Sequence, residues 1–245
     1  MFITGGSRGI GYQTALALGE AGAAVIVSDL AQHAVDEVVA TLRAALVDAH
    51  GVVLDVTDPD ACERVARELN SGDGFIDVLI ANAGIAWPDT AAEDMSNEAW
   101  LKVIDVNLNG TFWSCRAFGR PMLERGKGAI VTVVSMSGVV SNKPQRQAQY
   151  NASKAAVHHL TKSLAGEWAE RNVRVNSVAL TYVNTPMSSG TAKDERYFKP
   201  WMDSTPMRRM IEPEEVASAI AFLASDVASA ITGAILLTNA GYTIW

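Results

Sequence analysis

Short aliphatic runs alternate with longer helix-patterned segments along the whole chain, and no other feature of the sequence restricts its fold as much. The runs Phe2–Thr4, Ala24–Ser28, Ala49–Leu54, Ile76–Ala81, Ala129–Val134, Arg174–Ala179 and Ile235–Leu237 are mostly continuous in Val, Ile, Leu and Ala. That is the pattern of strands buried on both faces. Helix candidates lie between them at Ile10–Ala21, Ala34–Leu46, Pro59–Leu69, Asn97–Arg125, Gln149–Glu170 and Pro213–Ala224. The last has Pro213 at its start and Glu214 and Glu215 in its first turn, a helix-start signal. Repeated strand–helix units joined by right-handed crossovers predict an α/β doubly wound parallel sheet of about seven strands, a Rossmann fold. The 245 residues suffice for one such domain, spanning residues 1–245.

Composition removes several classes of function. Apolar residues at 49% against 19% charged describe a packed chain and exclude a disordered one. A net charge of -7 with dispersed Lys and Arg repels phosphate backbones, so no nucleic-acid partner is expected. Cys62 and Cys115 are far apart in helix-patterned segments, which excludes a disulfide scaffold and fits a reducing cytosol. No apolar run approaches the ~18 residues of a membrane span. No charged segment with an apolar signal core opens the chain, so a cytoplasmic protein without a membrane partner is expected. The first strand is short, which points to a native start upstream or to omitted residues.

One stretch breaks the rhythm. Residues 185–206 are polar and then rich in large side chains, among them Tyr197, Phe198, Trp201 and Met202. Such an insertion is either a lid over a site or a surface excursion packed on a neighbouring subunit.

The first strand runs directly into Thr4-Gly5-Gly6-Ser7-Arg8-Gly9-Ile10-Gly11. Glycines there permit positive φ and close backbone approach to a pyrophosphate, and the following helix start offers N–H groups to it. The spacing Gly5, Gly9, Gly11 is G-x-x-x-G-x-G and departs from the usual dinucleotide fingerprint. Asp29 closes the second strand. A carboxylate there accepts both adenosine ribose hydroxyls and repels a 2′-phosphate, favouring NAD over NADP; its alternative is a helix-cap or turn role. Arg8 is the opposing signal, a cation able to hold a 2′-phosphate. Asp55-Val56 after the third strand can meet the adenine amino group, and Asn82-Ala83-Gly84 follows the fourth beside the switch point. Each pair is also compatible with ordinary turn chemistry.

Ser137, Tyr150 and Lys154 form a second constellation. Tyr150 and Lys154 are i and i+4 on one predicted helix and share a face. A free tyrosine, with a pKa of about 10, is a poor base at neutral pH. An adjacent ammonium and a positive nicotinamide ring favour its phenolate, which then takes a substrate hydroxyl proton while hydride leaves. Ser137 holds the substrate oxygen as charge shifts.

Together these motifs resemble the short-chain dehydrogenase/reductase family over nearly the whole chain. The matching segments are Thr4–Gly11, Asn82-Ala83-Gly84, Asn107, Ser135-Met136-Ser137-Gly138, Tyr150-Asn151-Ala152-Ser153-Lys154 and Arg174-Val175-Asn176-Ser177. The resemblance implies strand order 3-2-1-4-5-6-7, usually a homotetramer, and the roles just given to Ser137, Tyr150 and Lys154. It adds Lys154 contacts to the nicotinamide ribose and cofactor contacts from Val183 and Thr185, Thr185 bonding the carboxamide. It also makes Asn107 a fourth member, holding a relay water; read without the family, Asn107 is an amide inside a long apolar helix. The family usually has Pro-Gly where Leu180-Thr181 stand, a departure that bears on cofactor affinity and loop order.

Substrate-lining candidates are Ser135, Ser137, Val139, Asn142, Gln147, Tyr150, Tyr182, Met187 and the 190–205 segment. The amides of Asn142 and Gln147 suit a polyhydroxylated alcohol or ketone, or are turn residues facing solvent. The stretches Ser135–Pro144, Trp201–Met207 and Gly233–Trp245 resemble the family's sugar-alcohol branch. Terminal Trp245 is expected at a subunit interface, its carboxylate reaching a neighbour's site or a Mg²⁺ ion as in some relatives. His158 and His159 are adjacent and face different directions, so an interface or surface role is expected in place of a metal pair. The leading reading is an NAD-linked polyol dehydrogenase. Its rivals are an NADPH-linked ketone or 3-oxoacyl reductase and a non-catalytic dinucleotide sensor.

Overall fold

A parallel sheet can bury its middle strands only if helices cover both faces, and this chain builds that arrangement. The computed structural model describes residues 1–71 and 74–244. Its elements run β1 (Phe2–Thr4), α1 (Gly9–Glu20), β2 (Val25–Asp29), α2 (Gln32–Ala44), β3 (Ala49–Val53), α3 (Pro59–Leu69) and β4 (Val78–Ala81). They continue with α4 (Asn97–Ile104), α5 (Gly110–Arg125), β5 (Gly128–Ser135), α6 (Ala148–Trp168), β6 (Val173–Leu180), α7 (Ser189–Ala192), α8 (Glu195–Ser204), α9 (Pro213–Ala224) and β7 (Ile235–Thr238). The strands form one sheet in the order β3-β2-β1-β4-β5-β6-β7, every pair parallel.

Burial follows position in the sheet. β1 and β4 are wholly buried, and β5 and β6 nearly so, while β3 and β7 at the edges are largely open. Ile3, Val27, Ile80 and Val131 pack with α1, α2 and α9 residues such as Leu18, Leu42 and Ile220 on one face. Phe2, Leu79 and Ile130 pack with Phe118, Met122 and Leu164 on the other. Cys62 and Cys115 are buried in α3 and α5 as free thiols, and burial pushes both well above an ordinary thiol pKa, Cys62 to about 11. Among the described residues no helix is long and apolar enough to cross a membrane.

Two expectations need correction. The continuous helix expected over Asn97–Arg125 is divided by a π-helical turn at Asp105–Asn109. The wider winding serves the buried Asn107, whose amide exchanges hydrogen bonds with the Ile85 backbone at 2.8 and 3.0 Å and donates to Ser153 Oγ at 3.1 Å. Residues 185–206, which break the strand–helix rhythm, contain the short helices α7 and α8, the latter capped by Asp194. The two adjacent histidines part company: His159 is exposed, whereas His158 is buried and bonded to the Ser135 backbone. Trp245 and the expectations attached to it lie outside the described residues.

Candidate active site

The carboxyl ends of the central strands open into a cleft of about 270 Å³. One end is the glycine loop. Gly5 and Gly9 have φ of +60° and +55°, a region open to glycine at little cost. A Cβ on Gly11 would lie 2.3 Å from the Gly5 carbonyl oxygen, so no side chain fits there. Asn82 fixes the loop to the end of β4 by donating to the carbonyls of Thr4 and Gly5 at 2.9 and 2.8 Å. Thr4 Oγ1 accepts from the Asn82 and Ala83 N–H groups, both at 3.0 Å. Helix α1 starts here without a capping side chain or a first-turn acid, unlike α3 and α4, which Asp58 and Ser96 cap. A bare backbone cradle at an uncapped helix start fits a pyrophosphate.

Most of the expected cofactor residues converge on this cleft: Gly5, Arg8, Gly9, Ile10, Gly11, Asp29, Asp55, Val56, Asn82, Ala83, Gly84, Tyr150, Lys154 and Thr185. Ser7 and Val183 do not line it. Ser7 instead turns its hydroxyl and N–H onto Asp29 Oδ2, while Leu30 N–H holds Oδ1 at 2.8 Å. Val183 is buried in a bridge to Ile211, and its carbonyl accepts from Ser188. Sequence reasoning missed the apolar walls Leu30, Leu54, Ile85, Val106 and Pro186, together with Lys102. Leu30 and Leu54 directly adjoin Asp29 and Asp55, a position at strand ends that was itself the available signal.

At the opposite end lie Tyr150 and Lys154. Lys154 is 5% exposed, its Nζ donates to the Val133 carbonyl at 3.0 Å and stands 5.6 Å from the Tyr150 ring centre. Burial lowers its pKa to about 8, so the ammonium is present below that value and is lost as pH rises through it. Burial also pushes the Tyr150 phenol above its ordinary value, and a hydrogen bond with Ser135 pulls it partly back. The phenol is therefore protonated in the cofactor-free protein, and the ammonium alone does not make it a phenolate.

That bond corrects the serine assignment. Ser135, the last residue of β5, meets Tyr150; Ser137 sits in the following turn. Ser135 Oγ donates to Ser137 Oγ at 3.0 Å, and Ser137 Oγ donates to Asn142 Oδ1 at 3.0 Å. Ser137 thus stands one hydrogen bond behind Ser135. Asn107 has its side chain bonded to Ile85 and Ser153, and its carbonyl accepts from Thr111 Oγ1 at 2.8 Å.

Beyond Ser137 a chain of amides continues. Gln147 Nε2 lies 3.0 Å from Asn151 Oδ1 and 3.2 Å from Asn142 Oδ1, and Asn142 Nδ2 donates to the Tyr182 hydroxyl at 3.3 Å. Tyr182, a substrate-lining candidate, is covered. Trp201 of α8 stacks on its ring at 4.0 Å, and only 8% of the residue is exposed. Val139 is exposed, as is Met187, which also lines the cleft. Two further contacts tie α8 to the loops around the site. Trp201 Nε1 donates to Gln145 Oε1 at 2.9 Å. Asp89 accepts from the Tyr197 hydroxyl at 2.7 Å and from Arg146 Nε at 2.8 Å. Among the described residues no cluster of three or more His, Cys, Asp or Glu is placed to hold a metal.

Leu180 lines the cleft, and Thr181 after it is buried with its hydroxyl unpartnered. A buried hydroxyl without a partner is destabilising by about 1–3 kcal/mol. Thr181→Val keeps the shape and removes that group, so its thermal midpoint should exceed the parent's by about 2–4 °C in a melting scan; an unchanged or lower midpoint contradicts this.

Comparison with known proteins places these features in a lineage. The family profile described as Enoyl-(Acyl carrier protein) reductase matches residues 5–243. Galactitol 2-dehydrogenase of Rhizobium johnstonii is 48% identical over 99% of this chain and 94% of its own length. Sorbose reductase sou1 of Schizosaccharomyces pombe is 39% identical over 98% and 94%. The crystal structure of gox2181 superposes with a TM-score of 0.98 at 45% identity, covering 100% of this chain and 95% of that one.

Proposed function

This chain belongs to the short-chain dehydrogenase/reductase family, and from that premise we propose that it is an NAD-linked polyol dehydrogenase interconverting a secondary alcohol and a ketone. Family membership makes it an oxidoreductase acting on CH–OH groups with a nicotinamide cofactor. One observation carries the rest: a single cleft has a phosphate-shaped glycine cradle and Asp29 at one end and Tyr150 and Lys154 at the other, with Ser135 hydrogen-bonded to Tyr150 behind the lining.

The bound nicotinamide supplies the hydride acceptor and, when oxidised, a positive charge. With a positively charged cofactor in place Tyr150 would first release its own proton to solvent, and as the phenolate it takes the substrate hydroxyl proton, with Lys154 keeping a cation beside that ring. Ser135 turns its one O–H from Ser137 toward the substrate oxygen and donates to it while charge moves through it. Ser137 and Asn142 hold Ser135 in place through the hydroxyl chain. The Gly84 backbone and Asn107 pack close to Lys154: a Cβ on Gly84 would lie 3.4 Å from its Nζ and 3.3 Å from Asn107 Oδ1.

Asp29 supports NAD over NADP. Its carboxylate is aimed by two donors from Ser7 and one from Leu30 and lines the cleft, where a 2′-phosphate would meet negative charge. NADP is the second reading, because exposed Arg8 lines the same end and related structures contain NADP, such as a gluconate 5-dehydrogenase of Burkholderia cenocepacia at 30% identity. Initial rates of galactitol oxidation with each cofactor decide: a kcat/KM ratio of about tenfold or more toward NAD is expected, and a preference for NADP overturns the use made of Asp29.

The polyol assignment is supported by the galactitol and sorbose activities of the relatives and by the amide chain at Asn142 and Gln147. Residues 185–206 serve as the lid, clasped by Asp89, Arg146 and Gln145. Tyr197→Phe removes one clasp bond at the surface; KM for the polyol should rise about threefold with kcat within about twofold, and an unchanged KM contradicts the lid. We place the protein in the cytoplasm as a homotetramer, in keeping with its family.

A further inference from the structure

We propose that His158 is a positioning residue of this site, holding the Ser135 peptide so that the serine hydroxyl is presented to Tyr150; this rests on the reading that Ser135 and Tyr150 handle the substrate oxygen.

The need for such a residue is set by strand length. The last residue of β4, Ala81, pairs with Thr132, whereas β5 continues to Ser135. The Ala129 N–H donates to Asp77, so Ala129 presents its backbone groups toward the β4 side, and so do the residues alternating with it. The carbonyls of Val133 and Ser135 therefore face a place where β4 has already ended. A buried carbonyl in that position needs a donor from elsewhere.

Helix α6 supplies both donors. Lys154 Nζ reaches the Val133 carbonyl at 3.0 Å, and His158 Nε2 reaches the Ser135 carbonyl at 3.1 Å. Val133 and Ser135 are two apart on a strand, and residues 154 and 158 are four apart on a helix, so each pair shares a face. Tyr150 starts the same helical row. The row 150, 154, 158 thus carries the reacting phenol, its cation, and the donor that fixes the serine's own peptide.

A carbonyl only accepts, so Nε2 of His158 carries the proton. Burial, and then the neighbouring Lys154 and Lys162 charges, lower the imidazole's pKa, partly offset by the Ser135 carbonyl. The ring is therefore a neutral Nε2–H donor. What it fixes is specific. With the Ser135 carbonyl held, the peptide between residues 135 and 136 cannot rotate, and the turn Met136–Gly138 starts from a set direction. The Ser137 N–H then donates back to Ser135 Oγ at 3.1 Å. The serine hydroxyl is located by its own turn, and the turn by His158.

The test compares His158→Leu, which removes the donor, with His158→Gln, which keeps an N–H at similar reach. His158→Leu should lower kcat for galactitol oxidation about tenfold or more, close to 1.4 kcal/mol. NADH affinity by fluorescence titration should stay within about twofold, and His158→Gln should recover most of the lost kcat. A His158→Leu enzyme with wild-type kcat overturns the proposal, as does a glutamine variant no better than leucine. Long-range nitrogen–proton spectra of the wild-type protein add a readout that needs neither variant nor turnover. The Nε2–H tautomer of His158 is expected, and an Nδ1–H tautomer refutes the proposal. A wild-type protein inert toward polyols would defeat the functional reading while leaving the tautomer result to stand on its own.

Discussion

Tyr150→Phe should lower kcat by about 10³-fold or more while leaving cofactor affinity within about twofold. The substitution removes one oxygen and keeps the ring that packs beside Lys154 and lines the cleft. Binding surface is preserved, so the loss must appear in the chemical step. Phenylalanine cannot accept the substrate proton, and among the described residues no other group lining this end of the cleft is placed to do so. Lys154 donates to the Val133 carbonyl and as an ammonium has no lone pair to offer. Ser135 is a weak base held in a hydroxyl chain. Steady-state rates beside a fluorescence titration of the cofactor check both halves. Substantial residual turnover would mean that another group carries the proton.

The second large effect separates two serines that stand two positions apart. Ser135→Ala should reduce kcat about 10²-fold, the usual consequence of losing a donor to a developing oxyanion. Ser137→Ala should cost less than about tenfold, because its hydroxyl acts through Ser135 and Asn142. Reversal of that order would return the reacting role to Ser137 and would contradict the contact between Ser135 and Tyr150. Measured kcat values for the two variants under identical conditions are sufficient.

The same two serines mark where reading the sequence reached its limit. The glycine loop, Asp29 and the Tyr150–Lys154 pair were legible because each depends on local geometry: a turn that only glycine permits, a strand end, and an i,i+4 spacing. The parallel sheet was legible because β4 and most of β5 are nearly unbroken aliphatic runs that alternate with helix-patterned segments. The choice between Ser135 and Ser137 depends on the residue at which β5 gives way to a turn, and element boundaries leave little trace in composition. Asn107 is similar. Its π-helical turn answers to bonds with Ile85 and Ser153, which are distant in sequence. Tyr182 carried a plausible hydroxyl for substrate, but the Trp201 that covers it arrives from α8, whose helical spacing of large side chains does not say which residue they cover. His158 left a usable signal, since it continues the Tyr150–Lys154 row by one more turn. Its neighbour His159 obscured that reading.

Ser7 illustrates a related point. A hydroxyl in a phosphate-binding loop reads naturally as a phosphate ligand, yet here it is spent on Asp29. The loop and the end of β2 are thereby coupled, and the carboxylate proposed to select between cofactors is oriented by a loop serine expected to bind the cofactor itself. Only the folded arrangement reveals this exchange of roles.

A crystal structure with NAD and a polyol or ketone bound tests the account most directly. It should show the pyrophosphate on Gly5–Gly11 and the reacting carbon about 3–3.5 Å from the hydride-carrying position of the nicotinamide. The substrate oxygen should lie within hydrogen-bond reach of both Tyr150 Oη and Ser135 Oγ. A substrate oxygen seated on Ser137, or a nicotinamide lying away from Tyr150, would contradict it.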